Sequence, residues 1–140
     1  MISCKFSIVA HGACIDAQSG GLTIFDIVDE IRAGGFPLLF QRIAFITKIE
    51  RDIATDPNTF DGTIRVLLDD DVLVAGPIHG SFADKSMSSL VTRLEGLIIA
   101  HPGRLSFRLS VGDQVLGEYN VAARLIGPPT FDVAIAPVPG

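Results

Sequence analysis

Three histidines, two cysteines and a run of three aspartates hold most of the reactive chemistry in this sequence: His11, His79 and His101; Cys4 and Cys14; and Asp69-Asp70-Asp71. The imidazoles would make a zinc triad if the fold gathered them, since neutral imidazole nitrogens are good ligands of that ion. Their positions argue against it, because none of the short spacings that hold two ligands on one element is present. Surface or hydrogen-bonded histidines are the expectation. The aspartates offer carboxylate oxygens of the kind calcium binds, and Asp84 or Asp113 would complete such a shell from another loop. The loop signature of alternating acids around a glycine is missing. A solvated turn, kept unsticky by its like charges, is the stronger reading.

Nucleophilic catalysis finds no frame here. The chain lacks a Gly-x-Ser-x-Gly elbow, and His79-Gly80-Ser81 sets a histidine near a serine without the strand-to-helix turn that exposes and activates a hydroxyl. Gly112 and Gly117 have the glycine spacing of a phosphate loop, yet Glu118 stands where the lysine belongs, and a carboxylate there repels phosphate. The Gly-x-Gly-x-x-Gly dinucleotide fingerprint is absent as well. A small hydrolase or ligand-binding protein is the alternative, and it needs a concave pocket holding convergent titratable groups, for instance His79 with Asp84 or His101 with Glu95. No catalytic residue, cofactor or metal is expected.

Charge and composition narrow the partners. A formal charge of −5 and a pI near 5.0 argue against nucleic acid, which calls for clustered Lys and Arg, and the eleven basic residues here are scattered. No apolar run is long enough for a membrane-spanning helix, because Lys48, Arg51, Arg65, Arg93, Arg104 and Arg124 punctuate the chain. Lys5 ahead of Phe6 to Ala10 invites comparison with an export signal, but that apolar run is too short and alternates like a strand. If Cys4 and Cys14 lie on one extended segment they stand about 33 Å apart, too far to pair. A break at His11-Gly12 would bring them closer, so pairing stays open. Two buried free thiols in a reducing compartment is the simpler reading, which makes cytoplasm the expected location.

The elements that must position these groups read as β-strands. After Pro102-Gly103, Leu105, Phe107, Leu109 and Val111 alternate with Ser106, Arg108 and Ser110, the period of a strand with one face on a core and one in water. Gly112-Asp113 turns the chain into Val115 to Leu125, with Tyr119, Val121, Ala123 and Leu125 on one side, completing a hairpin. Phe6 to Ile15 and Leu22 to Ile31 pair about the Ser19-Gly20-Gly21 turn, strand being favoured for the second although Ile24, Val28 and Ile31 also fit helical spacing and Asp26 and Asp29 sit badly in a two-sided strand. Ile43 to Ile49 forms a strand that ends in a polar surface loop, Arg51 to Asn58. Thr63 to Asp69 and Val72 to Phe82 make a second hairpin across the acidic turn, and Ala83 to Ser89 is a helical or irregular crossover. Leu90 to Ala100 follows, and its Leu97-Ile98-Ile99 run suggests burial on both sides. Short helices are allowed only in Asp29 to Gly35 and Ala83 to Leu90.

About eight strands at short, regular spacing predict an all-β fold, a single-domain antiparallel β-sandwich over residues 1–126. Ile24-Phe25 with Ile27, the Phe36-Pro37 break, the acidic turn at Asp69 to Asp71, and Pro102-Gly103 ahead of Phe107 and Leu109 resemble a family of uncharacterised bacterial and phage proteins. The resemblance implies a small immunoglobulin-like β-sandwich. It rests on turns and core positions and brings no catalytic or binding residue with it.

A non-enzymatic structural or protein-interaction module is the function expected. Sugar-binding sandwiches present Trp or Tyr platforms, whereas this chain has no Trp and one Tyr, Tyr119. An apolar fraction of 48% and a mean hydropathy of +0.45 are high for a lone domain, which points to a homo-oligomer, most simply a two-fold dimer. Residues 127–140 form a proline-rich apolar tail in which Phe131, Val133 and Ile135 alternate with polar or small residues. The expected role of the tail is to dock on the parent sandwich or on the edge of a neighbouring subunit.

Overall fold

A computed structural model of the protein describes residues 1–127. Alternating apolar residues and turn signals give nine strands: β1 (Ser3–Ile15), β2 (Leu22–Ile27), β3 (Glu30–Ala33), β4 (Leu38–Glu50), β5 (Thr59–Leu68), β6 (Asp71–Ser81), β7 (Met87–Ile99), β8 (Gly103–Val111) and β9 (Gln114–Leu125). Among the described residues there is no helix, and hence none long and apolar enough to cross a membrane. The strands form a four-stranded sheet in the order β2-β1-β4-β7 and a five-stranded sheet in the order β3-β9-β8-β5-β6. Tight turns account for several of the pairings. At the β1–β2 turn the Asp16 carboxylate accepts the backbone N–H groups of Gln18 at 2.8 Å and Ser19 at 3.2 Å. These two bonds hold its carboxyl below the ordinary value of 3.8.

The two sheets share one core. Val9, Ile43, Phe45 and Ile49 come from the four-stranded sheet, and Val66, Leu105, Phe107, Leu109 and Val121 from the other. Phe45 and Phe107 meet across it with ring centroids 5.8 Å apart and planes tilted by 43°, a geometry that ring quadrupoles favour. The alternation expected in the last hairpin holds on its inner side, where Leu105, Phe107 and Leu109 are fully buried. A smaller apolar cluster of Ala10, Ala13, Ala44 and Ile46 packs with Phe6, Leu22, Ile24 and Val91. Ala10 pairs with Ala44 and Ile46 with Val91, out of phase with the inner residues Val9 and Phe45, which puts that cluster on the outer face of the four-stranded sheet.

Several sequence expectations are corrected by the fold. The segment Leu22 to Ile31 is not one strand. Asp26 takes φ 54, Val28 makes a last backbone bond to Val9, and the chain then crosses to the other sheet, where β3 runs parallel to β9. Burial of Val28 and Ile31 drives the crossing. The strand count is therefore nine and the pairing is not wholly antiparallel. In the Leu97-Ile98-Ile99 run, Ile98 is 59% exposed while its neighbours are buried, because among the described residues nothing covers the outer face there. Ser106 and Ser110 are buried, not in water. β8 lies between β5 and β9, and Ser106 is overshadowed by its cross-strand neighbours Leu67 and Asn120, donating to the Asn120 amide oxygen at 2.8 Å. Leu125 is exposed rather than inward-facing. Cys4 is half-buried and Cys14 exposed, and both are free thiols.

The loop after β4 hides a charge. Arg51 is only 8% exposed, donating from Nε to the Lys85 carbonyl at 2.8 Å and from Nη1 to the Asp56 carbonyl at 3.2 Å. Its guanidinium lies 5.3 Å from the centroid of the buried Phe82 ring, so it binds the loop to the turn ahead of β7 through both polar and cation–π contact. The tail residues Phe131, Val133 and Ile135 lie outside the described residues.

Tyr119 ties β9 to the crossing between β2 and β3. Its hydroxyl lies 3.1 Å from the Val28 carbonyl and 3.2 Å from an Asp29 carboxylate oxygen, as donor. Burial first, and the Asp29 carboxylate second, push the phenol above its ordinary value of 10.0. The fold thus favours the neutral phenol: as pH rises, the unfolded chain loses this proton first, so stability is intact below about pH 10 and declines above it. We expect Tyr119→Phe to cost about 1 kcal/mol at neutral pH. The variant should also show a shallower alkaline loss than the wild type when urea midpoints are compared on either side of about pH 10. Parallel pH curves for the two proteins would refute the assignment.

Candidate functional site

The fold disperses the groups that the sequence singles out. His11 sits on β1, with its ring centroid 6.4 Å from that of Phe40. His101 lies in the β7–β8 turn, where Nδ1 donates to the carbonyl of Pro102 at 2.8 Å. His79 on β6 stands opposite Asp61 on β5, Nδ1 to Oδ1 2.7 Å, with both side chains largely exposed. The hydrolytic pairings are therefore not formed: His79 engages Asp61 rather than Asp84, and Glu95 lies 3.7 Å from Arg42 rather than beside His101. Asp84, at φ 64, is held by its backbone N–H, which donates to the Asn58 side chain at 2.8 Å. Among the described residues no three His, Cys, Asp or Glu side chains gather into a group able to hold a metal.

The acidic turn has a structural task that spacing alone did not reveal. Asp69, at φ 53, donates its backbone N–H to the Arg104 carbonyl at 2.8 Å, and its carboxylate accepts the Arg104 N–H at 3.1 Å. This two-way clasp joins the β5–β6 turn to the start of β8. Gly103 leaves room for it, since a β-carbon there would stand 2.9 Å from both Asp69 oxygens. Pro102-Gly103 is the mark of this clasp in the sequence.

A concave site does form where two ladders of the four-stranded sheet are interrupted. Between β1 and β2 the register omits His11 and Asp26, and between β4 and β7 it omits Gln41 and Gly96. Asp26 at φ 54 and Gly96 at φ 71 are the left-handed residues of these bulge-like steps. They flank a hollow of about 390 Å³, lined by Gly12, Ala13, Phe25 and Ala44 and by His11, Arg42, Arg93 and Glu95. The break suspected at His11-Gly12 is thus a real irregularity, although its consequence is a cavity and not a cysteine pair. Arg93 faces Ala44 across the β4–β7 ladder and reaches β1, where Nη2 donates to the Ala13 carbonyl at 3.0 Å. Among the described residues Arg93 has no carboxylate partner, and Arg42 has only the long contact to Glu95.

The sheet margins are the other candidate surface. β2 is six residues long and contains the irregular Asp26, β3 is four residues long, and β6 carries Pro77, which has no N–H to offer. β7 is thirteen residues long, without proline or lysine, and among the described residues its ladder partner is β4. Ile98 and its cross-strand neighbour Leu39, both more than half exposed, lie at one end of that margin.

No curated protein matches the chain at a significant level. Residues 5–124, which run from within β1 almost to the end of β9, match the model of a family of unknown function, DUF6941, and the chain belongs to that family.

Proposed function

We propose that this protein is a non-enzymatic interaction module of immunoglobulin-like build that pairs with a second copy of itself through the free edge of β7. The carrying observation is the length of that edge, thirteen residues with a single irregular step at Gly96 near its end, beside margins that are shorter or interrupted by proline. An exposed edge is a template for another strand, and proteins blunt the edges they do not use. Antiparallel pairing of one edge with its copy produces a two-fold axis, the commonest symmetry of oligomers. It would join two four-stranded sheets into a continuous one. The division into four and five strands supports the immunoglobulin-like description, since the variable-type arrangement also has nine. Free thiols at Cys4 and Cys14 support a reducing, cytoplasmic setting.

Sedimentation at tens of micromolar is expected to show a dimer, since associations of roughly −7 kcal/mol or stronger register there. Hydrogen exchange should find consecutive β7 amides protected in the dimer and only alternate ones on dilution. A monomer throughout, or a dimer whose β7 edge amides exchange freely, would sink this reading. Deleting residues 128 to 140 separates it from docking by Phe131, Val133 and Ile135. The dimer survives the deletion if β7 is the interface.

A further inference from the structure

We infer that the hollow between the two ladder interruptions binds a small organic anion with a flat apolar body, such as an aromatic carboxylate or phosphate monoester. This goes beyond self-association and does not depend on it. Its volume, about 390 Å³, lies in the range of small-molecule sites, which are mostly apolar with a few placed polar groups. Gly12, Ala13 and Ala44 supply a floor of small residues, and the half-exposed Phe25 ring stands at the side.

The charges there run against the rest of the molecule. The chain carries −5 overall, yet two guanidiniums and a single carboxylate line this hollow. Arg93 is an exposed side chain oriented by a neutral acceptor, the Ala13 carbonyl, a contact that directs the guanidinium without neutralising its charge. An arginine held in this way presents its remaining donors in a rigid fork suited to carboxylate or phosphate. Arg42 and Glu95, at 3.7 Å and largely exposed, form a weak pair that a better anion would displace. Ala44 stands opposite Arg93 on β4, the strand between Arg93 and its acceptor on β1, and offers only a methyl group in the way. A larger residue there would obstruct its path to β1.

The test uses the full chain and four probes: benzoate, phenyl phosphate, benzylamine and benzyl alcohol, titrated while backbone amide resonances are followed by NMR. Benzoate or phenyl phosphate should bind with a dissociation constant below about 1 mM. The shifts should centre on Gly12, Ala13, Ala44 and Arg93, and benzylamine and benzyl alcohol should bind at least tenfold more weakly. Which anion wins separates a carboxylate ligand from a phosphate. Arg93→Gln should weaken the winning anion at least tenfold. Arg42→Gln, at an exposed position that folding does not depend on, should weaken it by a smaller factor. Gly12→Leu, whose side chain projects toward Phe25 from ordinary backbone, should abolish binding by filling the hollow. The inference fails if no probe shifts these residues, if benzylamine binds as well as benzoate, or if folded Arg93→Gln and Arg42→Gln proteins bind as the wild type does.

Discussion

Replacing Phe107 by alanine is expected to cost about 3–5 kcal/mol, a large part of the roughly 5–15 kcal/mol that holds a domain folded. The ring is fully buried on β8, flanked by Val66 and Tyr119 on the adjacent strands and met from the opposite sheet by Phe45. Truncation removes the transfer free energy of the ring and leaves a cavity that two hydrogen-bonded sheets cannot close. Urea unfolding should show the midpoint falling with little change in slope. Phe25→Ala is the control, since a half-exposed ring outside the core should shift stability by no more than about 0.5 kcal/mol. Losses of similar size in the two variants would mean that Phe107 does not pack between the sheets.

Gly117→Ala is expected to destabilise by about 1–3 kcal/mol, the usual range for overpacking. At a permissive site the same change would stabilise by about 0.4–1 kcal/mol through the unfolded chain, so the sign itself is informative. A β-carbon on Gly117 would be driven into the Ser7 hydroxyl oxygen, with the Cys4 sulfur at 3.0 Å and a Thr47 methyl at 3.4 Å. β9 and β1 belong to different sheets, so the methyl would wedge the sandwich open at one end. Ser7→Ala removes the nearest obstacle. In the double variant most of the loss should be recovered, giving a coupling well outside the roughly 0.3–0.5 kcal/mol error of additivity. Losses that simply add would show that the sheets do not approach through Gly117.

Gly117 also shows where sequence reasoning runs out. Its spacing from Gly112 suggested a phosphate loop that the following Glu118 spoiled. Both glycines have local reasons instead: Gly112 sits at φ 59 in the β8–β9 turn, and Gly117 admits side chains from the opposite sheet. The first reason is legible from Gly-Asp between two alternating runs. The second depends on what lies across the sandwich. Likewise the three histidines and the aspartate run had readable chemistry but no readable neighbours, and the fold sends His79 to Asp61 and Asp69 to the backbone of Arg104.

Local pattern by itself determined that this is an all-β chain, that Leu105, Phe107, Leu109, Val121 and Ala123 face the core, and where the main hairpin turns fall. Those features follow from a period of two and from turn chemistry, which act over a few residues. Tertiary structure decided the rest. It turned Val28 and Ile31 into the other sheet and made β3 parallel to β9, because burying those side chains outweighs continuing a regular hairpin. It buried Arg51 over Phe82, hid Ser106 beneath its neighbours, and brought Arg93 across Ala44 to the carbonyl of Ala13. The hollow there is built from four strands, β1, β2, β4 and β7, and its residues run from His11 to Glu95 in sequence. Such a site has no local signature, because its shape comes from where two ladder interruptions fall in one sheet and not from the spacing of its residues along the chain.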